Sequence, residues 1–147
     1  MGYKIENINI IDEQSNVAIG IMYPFDGPGL FRSSFTTFDQ AKSNLLNLLL
    51  TVRGERFMQP TFGTSIVSTL FEPSTPETEI LLKEDINKAI QYWLPYLGIN
   101  EIIVKTAFNT PDLDHTIEIS INVFVKSTGA NITISIFGDE GGIIKVA

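Results

Sequence analysis

Three groupings in this chain have residue types and spacings that could do chemistry: carboxylates that might act as a pair, a histidine among acids, and arginines beside aromatic rings. Glycoside hydrolysis needs one carboxyl group as acid and another as base or nucleophile, about 5 to 9.5 Å apart. Glu55, Glu72 and Glu77 are the set a fold could gather around the connection TVRGERFMQPTFGT. Each also has a structural use. Glu77 stands where a helix N-terminus favours negative charge, Glu72 can accept a loop or helix-terminal amide, and Glu55 lies between Arg53 and Arg56 as an ion-pair member. These uses carry the expectation, so no catalytic residue is assigned; Glu55 and Glu72 would serve only if the chain were a muramidase. His115 follows NTPDLD with no serine placed to work with it, and Asp112 and Asp114 lack the regular ligand spacing and terminal glutamate of a calcium loop. The run GDEGG lacks the lysine of a phosphate cradle, and its acids would repel phosphate. With no cysteine and one histidine, neither a metal centre nor a cofactor is expected.

The elements that must position these residues are written in the hydrophobic period. In TTFDQAKSNLLNLLLT, Thr37 and Gln40 have capping-box spacing, and Ala41, Leu45, Leu48, Leu49 and Val52 share a helical face. The expected helix covers about 38–52, with Gly54 as its stop. Ile66, Val67, Leu70 and Phe71 form a short apolar stripe for a second helix over 64–71, closed by Pro73. A third helix, 75–94, starts with Ser74 or Thr75 as cap and Pro76 in the first turn, and Leu82, Ile86, Ile90, Trp93 and Leu97 lie along one face. Pro95 ends it.

From Glu101 the period changes to two. Strands are expected over 101–108, 115–126 and 131–137, the last two joined by the short connection STGA as an antiparallel hairpin. Ile117, Ile119, Ile121, Val123 and Val125 point one way, with Ile132, Ile134 and Ile136; Glu118, Ser120, Asn122, Lys126, Thr133 and Ser135 point the other. The fold class is α+β: helices on one face of a small antiparallel sheet whose other face meets water. Residues 1–35 read as an irregular arm with a possible strand in VAIGIMYPF, 36–138 as the folded domain, and 139–147 as a tail hinged at Gly141 and Gly142. The strand NITISIF, residues Asn131, Ile132, Thr133, Ile134, Ser135, Ile136 and Phe137, together with IIKVA, offers unpaired backbone that another chain could extend.

Composition narrows the partners. The 147 residues, 44% of them hydrophobic, suit a single domain. A net charge of −7 disfavours nucleic acid or an anionic membrane surface, so protein partners are expected. The N-terminus has no basic region leading into an apolar run, and the stretch NLLNLLL is far short of the ~20 residues a spanning helix requires, so a soluble protein made in the cytoplasm is expected.

One further pattern is specific in combination. NLLNLLLT, then RGER, then Pro60, Phe62 and Gly63 as P-x-F-G, then Leu70, Phe71, Glu72 and Pro73 as LFEP, then a long helix and a β-hairpin, resembles the baseplate wedge proteins of contractile phage tails over about 38–137. Such proteins are often labelled lysozyme-like and have relatives in type VI secretion baseplates. The resemblance implies a virion structural protein in the tail baseplate, assembled in the host cytoplasm in several copies. It implies contacts to other wedge proteins, to the tail sheath protein and to tube or hub proteins, and initiation of the sheath by strand donation. It places the wedge contacts on Arg53, Gly54, Glu55, Arg56, Pro60, Phe62, Gly63 and the LFEP residues, although Ser74 stands where relatives often carry arginine. Within the subunit, Glu55 or Glu72 is expected to pair with one of the two loop arginines.

Overall fold

The computed structural model describes residues 16–23, 31–69, 75–105, 116–139 and 144–146. A two-stranded ribbon, β1 (Gly20–Ile21) and β2 (Ser33–Ser34), precedes three helices, α1 (Thr37–Leu50), α2 (Ile66–Thr69) and α3 (Pro76–Trp93). Four strands follow: β3 (Leu97–Lys105), β4 (Thr116–Val125), β5 (Asn131–Asp139) and β6 (Ile144–Val146), antiparallel in the spatial order β3-β4-β5-β6. The α+β architecture is the one the change of period required.

Helix α1 starts one residue earlier than its capping pattern suggested. Thr36, not Thr37, is the cap: its hydroxyl oxygen accepts the Asp39 N–H at 3.1 Å and the hydroxyl donates to the Asp39 carboxylate at 2.8 Å. Gln40 instead accepts from the Ser34 hydroxyl and donates to Asn44, tying β2 to the helix. The helix also ends before Gly54. Thr51 takes extended backbone, its hydroxyl donating to the Asn47 carbonyl, and Val52 pairs with Thr64 in an isolated parallel bridge. Ala41, Leu45, Leu48 and Leu49 enter the core as the stripe predicted. In α3 the cap is Thr75, Pro76 occupies the first turn, and Leu82, Ile86, Ala89 and Ile90 face inward.

The sheet buries Ile117, Ile119, Ile121, Val123 and Val125 of β4 with Ile132, Ile134 and Ile136 of β5, the alternation read from sequence. Leu97 does not lie on the helix; it opens β3, four residues earlier than expected, opposite Val125. Gly98 can continue the strand because the Phe124 ring of β4 lies over it, filling the space a side chain would need. Asn100 is the extra residue of a β-bulge between Ile99 and Glu101, and its carboxamide donates to Asn122 at 3.3 Å and Asn131 at 3.2 Å. The hairpin between β4 and β5 turns on Gly129, whose φ of +70° suits glycine.

A fourth strand joins the three expected. Ile144, Lys145 and Val146 pair with Gly138, Phe137 and Ile136, so the backbone of the segment anticipated as an offering to another chain is engaged within its own. The LFEP residues, Ser74, His115, Asp112, Asp114, Gly141 and Gly142 lie outside the described residues.

Candidate functional site

The connection between α1 and α2, residues 51–64, is held at every level. Its backbone forms a narrow ladder: Thr64 N–H to Thr51 O at 3.0 Å, Arg53 N–H to Thr64 O at 3.4 Å and Gly54 N–H to Pro60 O at 2.8 Å. At the tip, Gln59 N–H donates to Arg56 O at 3.2 Å, closing a β-turn. Gly63 has a φ of +113°, and a Cβ there would collide with the Thr51 carbonyl, so the two arms approach this closely only through glycine.

Side chains then clamp the ladder to both long helices. Arg53 donates to Asp85 of α3 at 2.6 Å and to Gly63 O at 3.3 Å. The other Asp85 oxygen accepts the Ser65 N–H at 2.8 Å and the Ser65 hydroxyl at 2.9 Å, fixing the start of α2. Burial alone would raise the Asp85 pKa, but the bonds from Arg53 and Ser65 and the positive guanidinium outweigh it, and the carboxyl titrates below its ordinary value. Arg56 donates to Asn47 of α1 at 2.8 Å and lies 4.0 Å over the centre of the Phe62 ring. Phe62 meets Trp93 of α3 edge-on, ring centres 5.2 Å apart, and Trp93 in turn meets Tyr92.

Of the residues picked from sequence, Arg53, Arg56, Phe62, Gly63, Gly54 and Pro60 come together in this one structure. Of the two acids expected to pair with the arginines, Glu72 lies outside the described residues and Glu55 does not join. Glu55 makes no ion pair among the described residues; its carboxylate accepts the Val52 N–H at 3.2 Å and stays in solvent. The pairing acid is Asp85, which sequence reasoning passed over. The signal was present: Asp85 sits beside the apolar stripe of Leu82, Ile86 and Ala89, where a carboxylate needs a donor. Arg56 meets the side-chain carbonyl oxygen of Asn47 and the Phe62 ring.

Glu55 is an exposed acid on the clamped loop, and Glu72, the acid it would work with, lies outside the described residues. The groove beside β3 is lined by Asn87, Gln91, Leu97, Gly98, Ile99 and Lys126, with no carboxylate, and the one across the outer sheet face contains Glu101 as its single acid. Among the described residues no cluster of acids and histidine could hold a metal ion, and no helix is long and apolar enough to cross a membrane.

The second feature is a sheet edge. Val125 N–H donates to Ala130 O, and the antiparallel alternation from there turns the backbone N–H and C=O of Asn131, Thr133 and Ser135 away from β4. On that side β6 covers only Ile136 to Gly138. Residues 131–135 therefore present, among the described residues, an unpaired run without charge, proline or bulge. The opposite edge, β3, carries the Asn100 bulge with exposed Glu101 and Lys105. Such features discourage strand addition.

Residues 39–130 match the family described as baseplate wedge protein gp25. The chain belongs to that family. Membership assigns it a structural place in a tail baseplate, in assembly with other baseplate proteins. Among solved structures, it is similar to a Geobacter sulfurreducens protein described as a candidate tail lysozyme: TM-score 0.58, 21% identity, covering 71% of this chain and 91% of that one. At that identity the likeness establishes a shared fold and no shared activity. A comparison with curated proteins gave no match. The matched segment of this gp25-family protein contains the clamped loop, α3 and the β4–β5 turn, while all of β5 lies beyond it.

Proposed function

We propose that this gp25-family chain works without catalysis, as a wedge subunit of a contractile tail that joins wedge components through the loop at 51–64 and starts the sheath by strand exchange. The tail sheath protein is the partner at the sheet, where Asn131 to Ser135 take up one of its extended segments. The observation that carries this reading is the asymmetry of the two sheet edges: β3 is bulged and charged, whereas the first half of β5 is free of bulges, uncharged and unpaired among the described residues. Each added backbone hydrogen bond contributes only about 0.5–1.5 kcal/mol net, so several must form together with side-chain packing. Strand exchange here uses β5 as a fixed platform and not as a swinging arm, because Ile132, Ile134 and Ile136 are buried in the core.

Truncation after Gly129 would strip out those core residues, so a point change is the sharper test. Thr133→Pro removes an N–H directed at the open edge without touching the β4 ladder, which edge strands tolerate. The expected result is a folded subunit that still enters baseplates and no longer nucleates sheath. Sheath of normal length on Thr133→Pro baseplates would refute strand exchange at this edge.

A further inference from the structure

The tip of the clamped loop carries two side chains that its fold does not use. Phe57 and Met58 are the central residues of the turn from Arg56 to Gln59, and they are 96% and 87% exposed. Turn centres are ordinarily glycine, proline, asparagine, aspartate or serine, which suit water and tight backbone. A phenyl ring and a thioether add nothing to the core from this position. We propose that Phe57 and Met58 are the anchor by which this chain seats in an apolar pocket of another baseplate protein, an inference that rests on the baseplate reading above.

Two observations point to a rigid protein-docking knob. The platform below the turn is fixed by the Gly54–Pro60 backbone bond, by Arg56 stacked on Phe62 and bonded to Asn47, and by the contact of Phe62 with Trp93. A preorganised tip loses little conformational freedom on docking. Exposed Glu55, Gln59 and Thr61 surround the apolar pair, giving the centre-and-rim pattern of interfaces, with a rigid aromatic anchor and an adaptable methionine. The alternatives fit less well. A net charge of −7 opposes docking to an anionic membrane. The groove beside β3, walled by Asn87, Gln91 and Lys126, is too polar to receive a phenyl ring from a second copy.

The test places the photo-crosslinking amino acid benzoylphenylalanine at position 57 and irradiates purified baseplates; alongside, a Phe57→Ser, Met58→Ser chain is supplied to particles lacking their own copy. The expected results are a crosslink to a different baseplate protein and a doubly substituted chain that melts like the unmodified one while entering baseplates roughly a hundredfold less well. A crosslink only to copies of this chain, or no crosslink, would overturn the inference. So would normal incorporation of the double variant, or binding to phosphatidylglycerol vesicles that the two substitutions abolish. Absence of the unmodified chain from purified baseplates would sink the baseplate reading itself and this inference with it, an outcome recognisable before either variant is made.

Discussion

Replacing Asp85 by asparagine separates what charge does in the loop clamp from what shape does. In the native chain one carboxylate oxygen accepts from Arg53 at 2.6 Å and the other accepts twice from Ser65, at 2.8 and 2.9 Å. The Arg53 side chain is 47% exposed, so water screens the ion pair and its share is about 0.5–1 kcal/mol. The Ser65 bonds end on a carboxylate only 17% exposed, and hydrogen bonds to charged groups contribute about 1.5–3 kcal/mol each. Asparagine keeps one acceptor oxygen, so about 2 kcal/mol of this is lost. At about 2–4 °C per kcal/mol for a chain of this size, the melting temperature falls by roughly 4–8 °C. The pH dependence has a definite sign. Asp85 has a lowered pKa in the folded protein, so its stabilisation is complete above the ordinary carboxylate value of 3.8 and fades as pH drops through the still lower folded value. Thermal melts of both proteins from neutral to acid pH should therefore converge in acid. A neutral-pH difference under about 1 °C, or a gap that widens on acidification, would refute the clamp as described.

The two left-handed loop glycines should respond unequally to alanine. Gly54→Ala meets open space and costs about 1–2 kcal/mol for its backbone alone, whereas Gly63→Ala also drives a methyl group into the Thr51 carbonyl and should unfold the loop or prevent soluble expression; denaturant titration of both distinguishes them. Purified chain incubated with peptidoglycan should release no muropeptides, and Glu55→Gln should leave both that result and the melting temperature unchanged within about 1 °C, as expected for an exposed acid; turnover lost in the variant would establish a muramidase.

The elements legible in the sequence were those whose period is imposed by burial. Ile117 to Val125 and Ile132 to Ile136 alternate because one face is sealed under helices, and the stripe through Ala41, Leu45, Leu48 and Leu49 has the matching helical period. Where local chemistry competes with period, the reading slipped. Thr36 and Thr37 both suit a cap, and only the reach to Asp39 decides between them. Gly98 reads as punctuation, yet Phe124, remote in sequence, covers it and keeps it in β3. The loop residues were recognisable because glycine, proline and arginine carry conformational and donor meaning of their own. Their partners Asn47 and Asp85 were not: the place of Asp85 beside an apolar stripe calls for a donor without naming it, since the long-range contacts of a polar side chain leave no periodic trace. The pairing of Ile144 to Val146 with β5 was missed for the same reason: three residues are too few to declare a register.

On the proposed strand exchange, the Asn100 bulge gives the molecule a polarity. A layer that accepts a neighbour along one margin and refuses it along the other has a first member and a direction of growth. It can stand at the head of a row but cannot splice two rows into one.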